Sequence, residues 1–207
     1  MKRPNKPVSR TEPRVQKSPT PRGLEVVPAS ADRWRDLELL FGENGACGGC
    51  WCMTWRLKRS EFDKQKGAGN KKAFKRLVES GRPPGVIAYI DGRPAGWCAV
   101  APREQYSVLG RSRTLAPVDD QPVWSISCFF IVREFRGQGV TRPLLEAAAN
   151  FAKAQGAKIT EGYPHDLGEN KLPPPFVWTG LLSTFAQAGF SEAARRSSKR
   201  PIMRKNL

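Results

Sequence analysis

Arg136-Gly137-Gln138-Gly139-Val140-Thr141-Arg142 stands between an apolar, strand-like run at residues 126–132 and an alanine-bearing helical pattern that reaches Gln155. A glycine-rich turn that opens a helix leaves the first-turn N–H groups without intrahelical partners. The aligned peptide dipoles place partial positive charge at the same end. Such a turn attracts anions, phosphates foremost. Gly137 and Gly139 let the backbone approach a ligand closely, and Arg136 and Arg142 add full charges. No Lys-Ser/Thr follows the glycines, which excludes a P-loop. Only the first Gly-x-Gly of a dinucleotide fingerprint is present.

Working outward, Val140, Leu144, Leu145, Ala148, Phe151 and Ala152 give the helix an apolar face, and Pro143 falls in its first turn, where proline is tolerated. Gly156 ends the helix, and a strand is expected at 157–161. Upstream, 123–132 reads as the central strand. The runs 86–90 and 95–100 flank Asp91-Gly92, a strong hairpin signal. Residues 24–27 read as a first strand. Ser30 precedes a helix carrying Trp34, Leu37, Leu40 and Phe41 at helical spacing. A glycine- and cysteine-rich segment, 42–50, breaks that helix. A second helical region is expected from Trp51 through Arg56 and on, with interruptions, to Val78. Residues 103–121 are polar and proline-punctuated, a long loop. A short helix at 179–188, then Gly189-Phe190 and one final strand through Met203, complete the pattern.

A chain of 207 residues is long enough for one domain with extensions. No apolar run approaches the ~20 residues that span a bilayer. The start of the chain lacks the apolar core of a secretory signal, so a cytoplasmic protein is expected. The formal net charge is +16. Residues 1–22 carry Lys2, Arg3, Lys6, Arg10, Arg14, Lys17 and Arg22 against Glu12 alone, amid Pro, Ser and Thr. They are expected to form a disordered basic tail ahead of a domain at 23–207. Arg195, Arg196, Lys199, Arg200, Arg204 and Lys205 make a second basic group, and residues 64–76 a third. Such a surface either attracts polyanions without sequence preference or is simply a solvated face. Five cysteines, an odd count, argue against a disulfide framework. Cys47-Gly48-Gly49-Cys50-Trp51-Cys52 contains Cys-x-x-Cys without the second half-site a structural zinc needs. Its redox, metal or substrate role stays open.

Arg136 to Thr141 resembles motif A of the GNAT acetyltransferase superfamily, Gln/Arg-x-x-Gly-x-Gly/Ala, with Thr141 where Gly or Ala is usual. Residues 178–190, ending in Gly189-Phe190, resemble the family's motif B. The resemblance covers about residues 24–205. It implies an α/β (α+β) fold: a mixed, mostly antiparallel sheet with splayed central parallel strands, flanked by helices. It also implies acetyl-CoA as co-substrate and direct transfer of the acetyl group to a primary amine of a small molecule or peptide.

By the same resemblance Phe129, Phe130 and Ile131 supply main-chain groups to the pantetheine arm and the thioester oxygen. Arg136, Gly137, Gln138, Gly139, Val140, Thr141 and Arg142 hold the diphosphate. Glu161, at the end of the fifth strand, is the candidate base, with His165 as another titratable group at the rim. The family's frequent acid is a tyrosine where this chain has Phe185, which has no proton to give; Tyr163, Ser183 and Thr184 are the candidate replacements. The acceptor pocket is expected around Cys47, Cys50, Trp51, Cys52, Met53, Trp55 and Arg56, with core packing of Trp51, Met53 and Trp55 as the plainer reading of the same aromatics. Rival readings are a polyanion- or RNA-associated binding protein and a catalytically weak CoA-binding regulatory module on the same fold. Self-association into a homodimer stays open.

Overall fold

The computed structural model describes residues 20–168, 172–173 and 176–207. The expected basic tail, 1–22, thus lies outside the described residues up to position 19. Among those described, seven strands form one sheet in the order β1-β2-β3-β4-β5-β7-β6. β1 (Leu24–Pro28), β2 (Gly85–Ile90), β3 (Arg93–Pro102) and β4 (Trp124–Ile131) pair antiparallel in sequence. Asp91 and Gly92, both at positive φ, make the two-residue turn between β2 and β3 that their types predict. β5 (Ile159–Gly162) lies parallel to β4. β7 (Ile202–Asn206) runs antiparallel to β5, and β6 (Ser191–Ala194) to β7. The single final strand expected from the sequence is therefore two, joined through the polar stretch at 195–201.

Helices cover both faces. α4 (Thr141–Ala154) buries Leu144, Leu145, Ala148, Ala149 and Ala152 against Ile126 and Phe129 of β4. Each buried leucine contributes roughly 1.5–3 kcal/mol. On the other face α1 (Trp34–Phe41) and α3 (Ala68–Val78) pack Trp34, Leu37, Phe41 and Phe74 on Trp97 of β3. α2 (Arg59–Lys64) precedes α3, and α5 (Leu182–Gln187) follows β5.

Two expectations need correction. Trp51 to Arg56 is a chain of turns, in which Trp51 (φ 43) and Cys52 (φ 56) take left-handed backbone. Such conformations cost a side-chain-bearing residue about 1–2 kcal/mol each. The helix expected from Thr179 starts only at Leu182, because Gly180 at φ 88 and an extended Leu181 interrupt it.

The parallel pairing of β4 with β5 lasts three residues: Trp124↔Thr160, Ser125↔Glu161 and Ile126↔Gly162. β4 runs on to Ile131 with β5 already ended. On its other edge Ala99 of β3 pairs with Cys128 and Val100 with Ile126, so Ser127 is an extra residue in β4. A bulge of this kind bends the strand and re-aims the groups beside it.

Candidate active site

The turn that follows β4 is open to solvent at Arg136, Gly137 and Gln138, while Val140 behind it is buried. Gly137 (φ 75) and Gly139 (φ 78) both occupy left-handed backbone, which accounts for two glycines at this spacing. Arg136 Nε donates to the Ile131 carbonyl at 2.8 Å, and Gln138 Nε2 donates to that of Glu134 at 2.7 Å. These bonds tie the turn back onto the end of β4. The N-cap residue of α4, Val140, makes no side-chain capping bond. Arg142 pairs with Glu146 at 3.1 Å, one turn on. An uncapped helix start with glycines before it and arginines on both sides is suited to a phosphate.

The edge of β4 beyond Ile126 is covered by the chain itself. Phe129 N–H donates to the Trp178 carbonyl at 2.6 Å. The Trp55 indole N–H donates to the Ser127 carbonyl at 3.1 Å, and the Trp55 and Trp178 rings lie 5.5 Å apart. Beside them the Oγ of Ser127 and the Oγ1 of Thr179 are buried without a hydrogen-bond partner among the described residues.

Glu161 sits on β5 as expected, but both its oxygens are engaged. Oε1 accepts from Arg103 Nη1 at 2.7 Å and from the Tyr163 hydroxyl at 2.8 Å; Oε2 accepts from Arg204 Nε at 2.8 Å. Glu161 is fully buried, and the two arginine side chains are 12% exposed. Arg204 also pairs with Asp119 at 2.6 Å, so two cations and two carboxylates balance. Both oxygens of Glu161 are thus committed to partners within the protein. Tyr163 is locked in the same network through Ser125, at 2.7 Å. Burial, then the Glu161 charge, push its phenol well above the usual range. Ser183 is exposed on the first turn of α5, and Phe185 is fully buried against Phe129 and Phe190.

Of the segment expected to line the acceptor pocket, Cys52, Trp55 and Arg56 lie beside the bulge, whereas Trp51 and Met53 are buried in the core with Trp34 and Phe41. Val108 N–H donates to the Trp55 carbonyl at 3.1 Å, and Arg56 stacks over the Tyr106 ring with its Nη2 3.3 Å from the hydroxyl. Burial pushes the Tyr106 phenol up to about 12. Cys52 Sγ accepts from the Trp97 indole N–H at 3.1 Å. A hydrogen bond from the Cys128 thiol, and then the Trp97 N–H, hold the Cys52 thiol below its usual range despite burial. Cys128 is driven well up by the same pairing and by burial. Tyr106, Ser127 and Cys128 were not singled out from sequence. The one available signal was a large aromatic, Tyr106, stranded in a polar loop. Cys47 is exposed, apart from this cluster.

His165 lies past β5, where Arg200 Nη2 stands 2.9 Å from its Nε2. Only the neutral ring accepts a bond there. Burial, then the Arg200 charge, lower its pKa.

Residues 51–163 match the family model described as the Acetyltransferase (GNAT) family. Among solved structures, the chain is similar to the PaiA N-acetyltransferase of Thermoplasma acidophilum in complex with coenzyme A. That likeness has 14% identity and a TM-score of 0.50, over 89% of this chain and 99% of the other. It is similar also to a GNAT-family acetyltransferase of Listeria monocytogenes (10% identity, TM-score 0.54, 89% and 95% of the two chains). A GCN5-related N-acetyltransferase of Kribbella flavida shares 15% identity at a TM-score of 0.53, over 91% and 100%. At such identities the likeness is one of fold. A search of the curated proteins finds no match. No helix among the described residues is long and apolar enough to cross a membrane.

Proposed function

The chain belongs to the Acetyltransferase (GNAT) family, and from that premise we propose that it transfers the acetyl group of acetyl-CoA directly to a primary amine of a small molecule or peptide. The observation that carries this reading is the uncapped, glycine-preceded start of α4, set at the end of a strand that outruns its parallel neighbour. The solved Thermoplasma relative is a coenzyme A complex, which supports acetyl-CoA as the co-substrate. Backbone N–H groups of residues 137–142 and the guanidiniums of Arg136 and Arg142 would hold its diphosphate. Phe129, Phe130 and Ile131 would offer main-chain groups to the pantetheine arm, and the thioester would lie toward the bulge at Ser127. An N–H aimed at the developing oxyanion contributes about 3–4 kcal/mol in comparable sites.

The amine would enter beside Cys52, Trp55, Arg56 and Tyr106. Deprotonation of its ammonium falls to water at the site, because Glu161 and Tyr163 are committed to the ionic network. The departing thiolate, with a parent pKa near ~8.5, needs little acid assistance, so Phe185 is compatible with turnover. Ser183 stays a candidate donor at the rim.

A thiol-release assay with acetyl-CoA over a panel of primary amines tests the reading. Free CoA formed in step with one acetylated amine is expected. Tight CoA binding with no thiol release across the panel would instead favour a regulatory CoA-binding module, the second reading, which the missing phenol at 185 supports.

A further inference from the structure

Residues 178–182 form a strap across the open edge of β4. Trp178 offers its carbonyl to Phe129 N–H at 2.6 Å. Two residues on, the Gly180 carbonyl accepts from His165 N–H, and Leu182 N–H donates to the His165 carbonyl, each at 2.9 Å. His165 and Leu181 make a parallel bridge. The strap thus lies as an extra rung between β4 and the chain that continues past β5, in the gap where these two strands cease to pair.

Its hold on that gap is incomplete. Thr179 is fully buried, yet its Oγ1 has no partner among the described residues, a cost to the state in which it is found. Gly180 makes the crossing possible: it sits at φ 88, and a Cβ there would come within 2.8 Å of the Phe185 ring and 3.2 Å of the Phe129 ring. On the far side the Trp178 indole meets the Trp55 ring at 5.5 Å.

We propose that this strap is an internal competitor for the acyl end of the coenzyme: the Trp178 carbonyl occupies the Phe129 amide in the free protein, and acetyl-CoA displaces it on binding. The inference rests on the reading that acetyl-CoA lies along β4. Its carbonyl is a fitting surrogate, since a peptide oxygen and a thioester oxygen present the same acceptor to one N–H. Ligand binding then carries a population cost, the apparent Kd being the intrinsic value divided by the fraction of molecules with the strap withdrawn. Withdrawal also exposes Trp55, and with it the wall on which the amine would bind. Coenzyme and acceptor sites therefore open together.

Weakening the strap must tighten coenzyme binding, the reverse of what truncation in a binding cleft ordinarily does. Gly180→Ala destabilises the strap through its backbone, and Trp178→Ala removes its ring contact with Trp55. Calorimetric titration of the full chain and of each variant with acetyl-CoA is the test, with thermal melts confirming that each variant is folded. A Kd about fivefold below wild type in either folded variant is expected. Unchanged or weaker binding in both, while the wild type binds acetyl-CoA, would overturn the strap alone. No binding by the wild type or either variant would overturn the acetyl-CoA reading and the strap with it.

Discussion

Replacing Glu161 with glutamine separates chemistry from architecture at β5. The carboxylate is fully buried and receives Arg103 at 2.7 Å, Tyr163 at 2.8 Å and Arg204 at 2.8 Å. Glutamine keeps the shape but puts an NH2 where one oxygen faced a donor. One arginine then points a donor at a donor, and the network holds two guanidiniums against Asp119 alone. Breaking a buried pair by removing one partner costs roughly 3–5 kcal/mol. Because glutamine still offers one acceptor, about 3 kcal/mol is expected, the lower end of that range. For a domain of this size that corresponds to a fall in Tm of about 6–12 °C. Differential scanning calorimetry at neutral pH reads it, alongside thiol release measured well below the new Tm. Turnover per folded molecule should survive largely intact. A Tm within about 2 °C of wild type, combined with lost turnover, would return Glu161 to the role of base.

Gly162→Ala should be among the most damaging single-methyl additions, at about 2–3 kcal/mol, because the new Cβ would enter the Phe185 ring, itself wedged against Phe129 and Phe190; an unchanged melting curve would contradict that packing. His165 has a lowered pKa in the folded state, so the unfolded chain takes up the proton first. Its contribution is therefore intact above the unfolded value near ~6.5 and is lost as pH falls through the window below it. Tm between pH 7.5 and 5 should drop more in wild type than in His165→Gln, and equal slopes would dismiss the effect. Alkylation of the native protein at neutral pH should label exposed Cys47 first and leave Cys98, buried and with its thiol pushed well up, protected. Mass mapping that finds Cys98 labelled as fast as Cys47 would contradict that burial.

What the sequence displayed was whatever depends on near neighbours. The Asp91-Gly92 hairpin, the apolar face from Val140 to Ala152 and the glycines of the 136–142 turn each rest on contacts within a few positions. Trp51 and Cys52 defeated that logic, since nothing in their types announces left-handed backbone. Their conformation follows from docking Trp51 on Trp34 and Phe41 and Cys52 under Trp97. Glu161 falls on the strand its position suggests, but its partners were not legible, because Arg103 and Arg204 reach it from 58 and 43 positions away. Trp178 likewise meets Phe129 across a loop whose course no periodicity encodes.

Isothermal titration with CoA of wild type against Gly139→Asp probes the grip of the α4 start on a coenzyme diphosphate with the fewest intervening steps. Gly139 holds φ 78 in a turn open to solvent. An aspartate there strains the backbone and sets a negative charge against the incoming phosphates. Saturable binding by the wild type and its loss in a variant that still melts cooperatively is the predicted result. Equal affinity in the two proteins would contradict the claim.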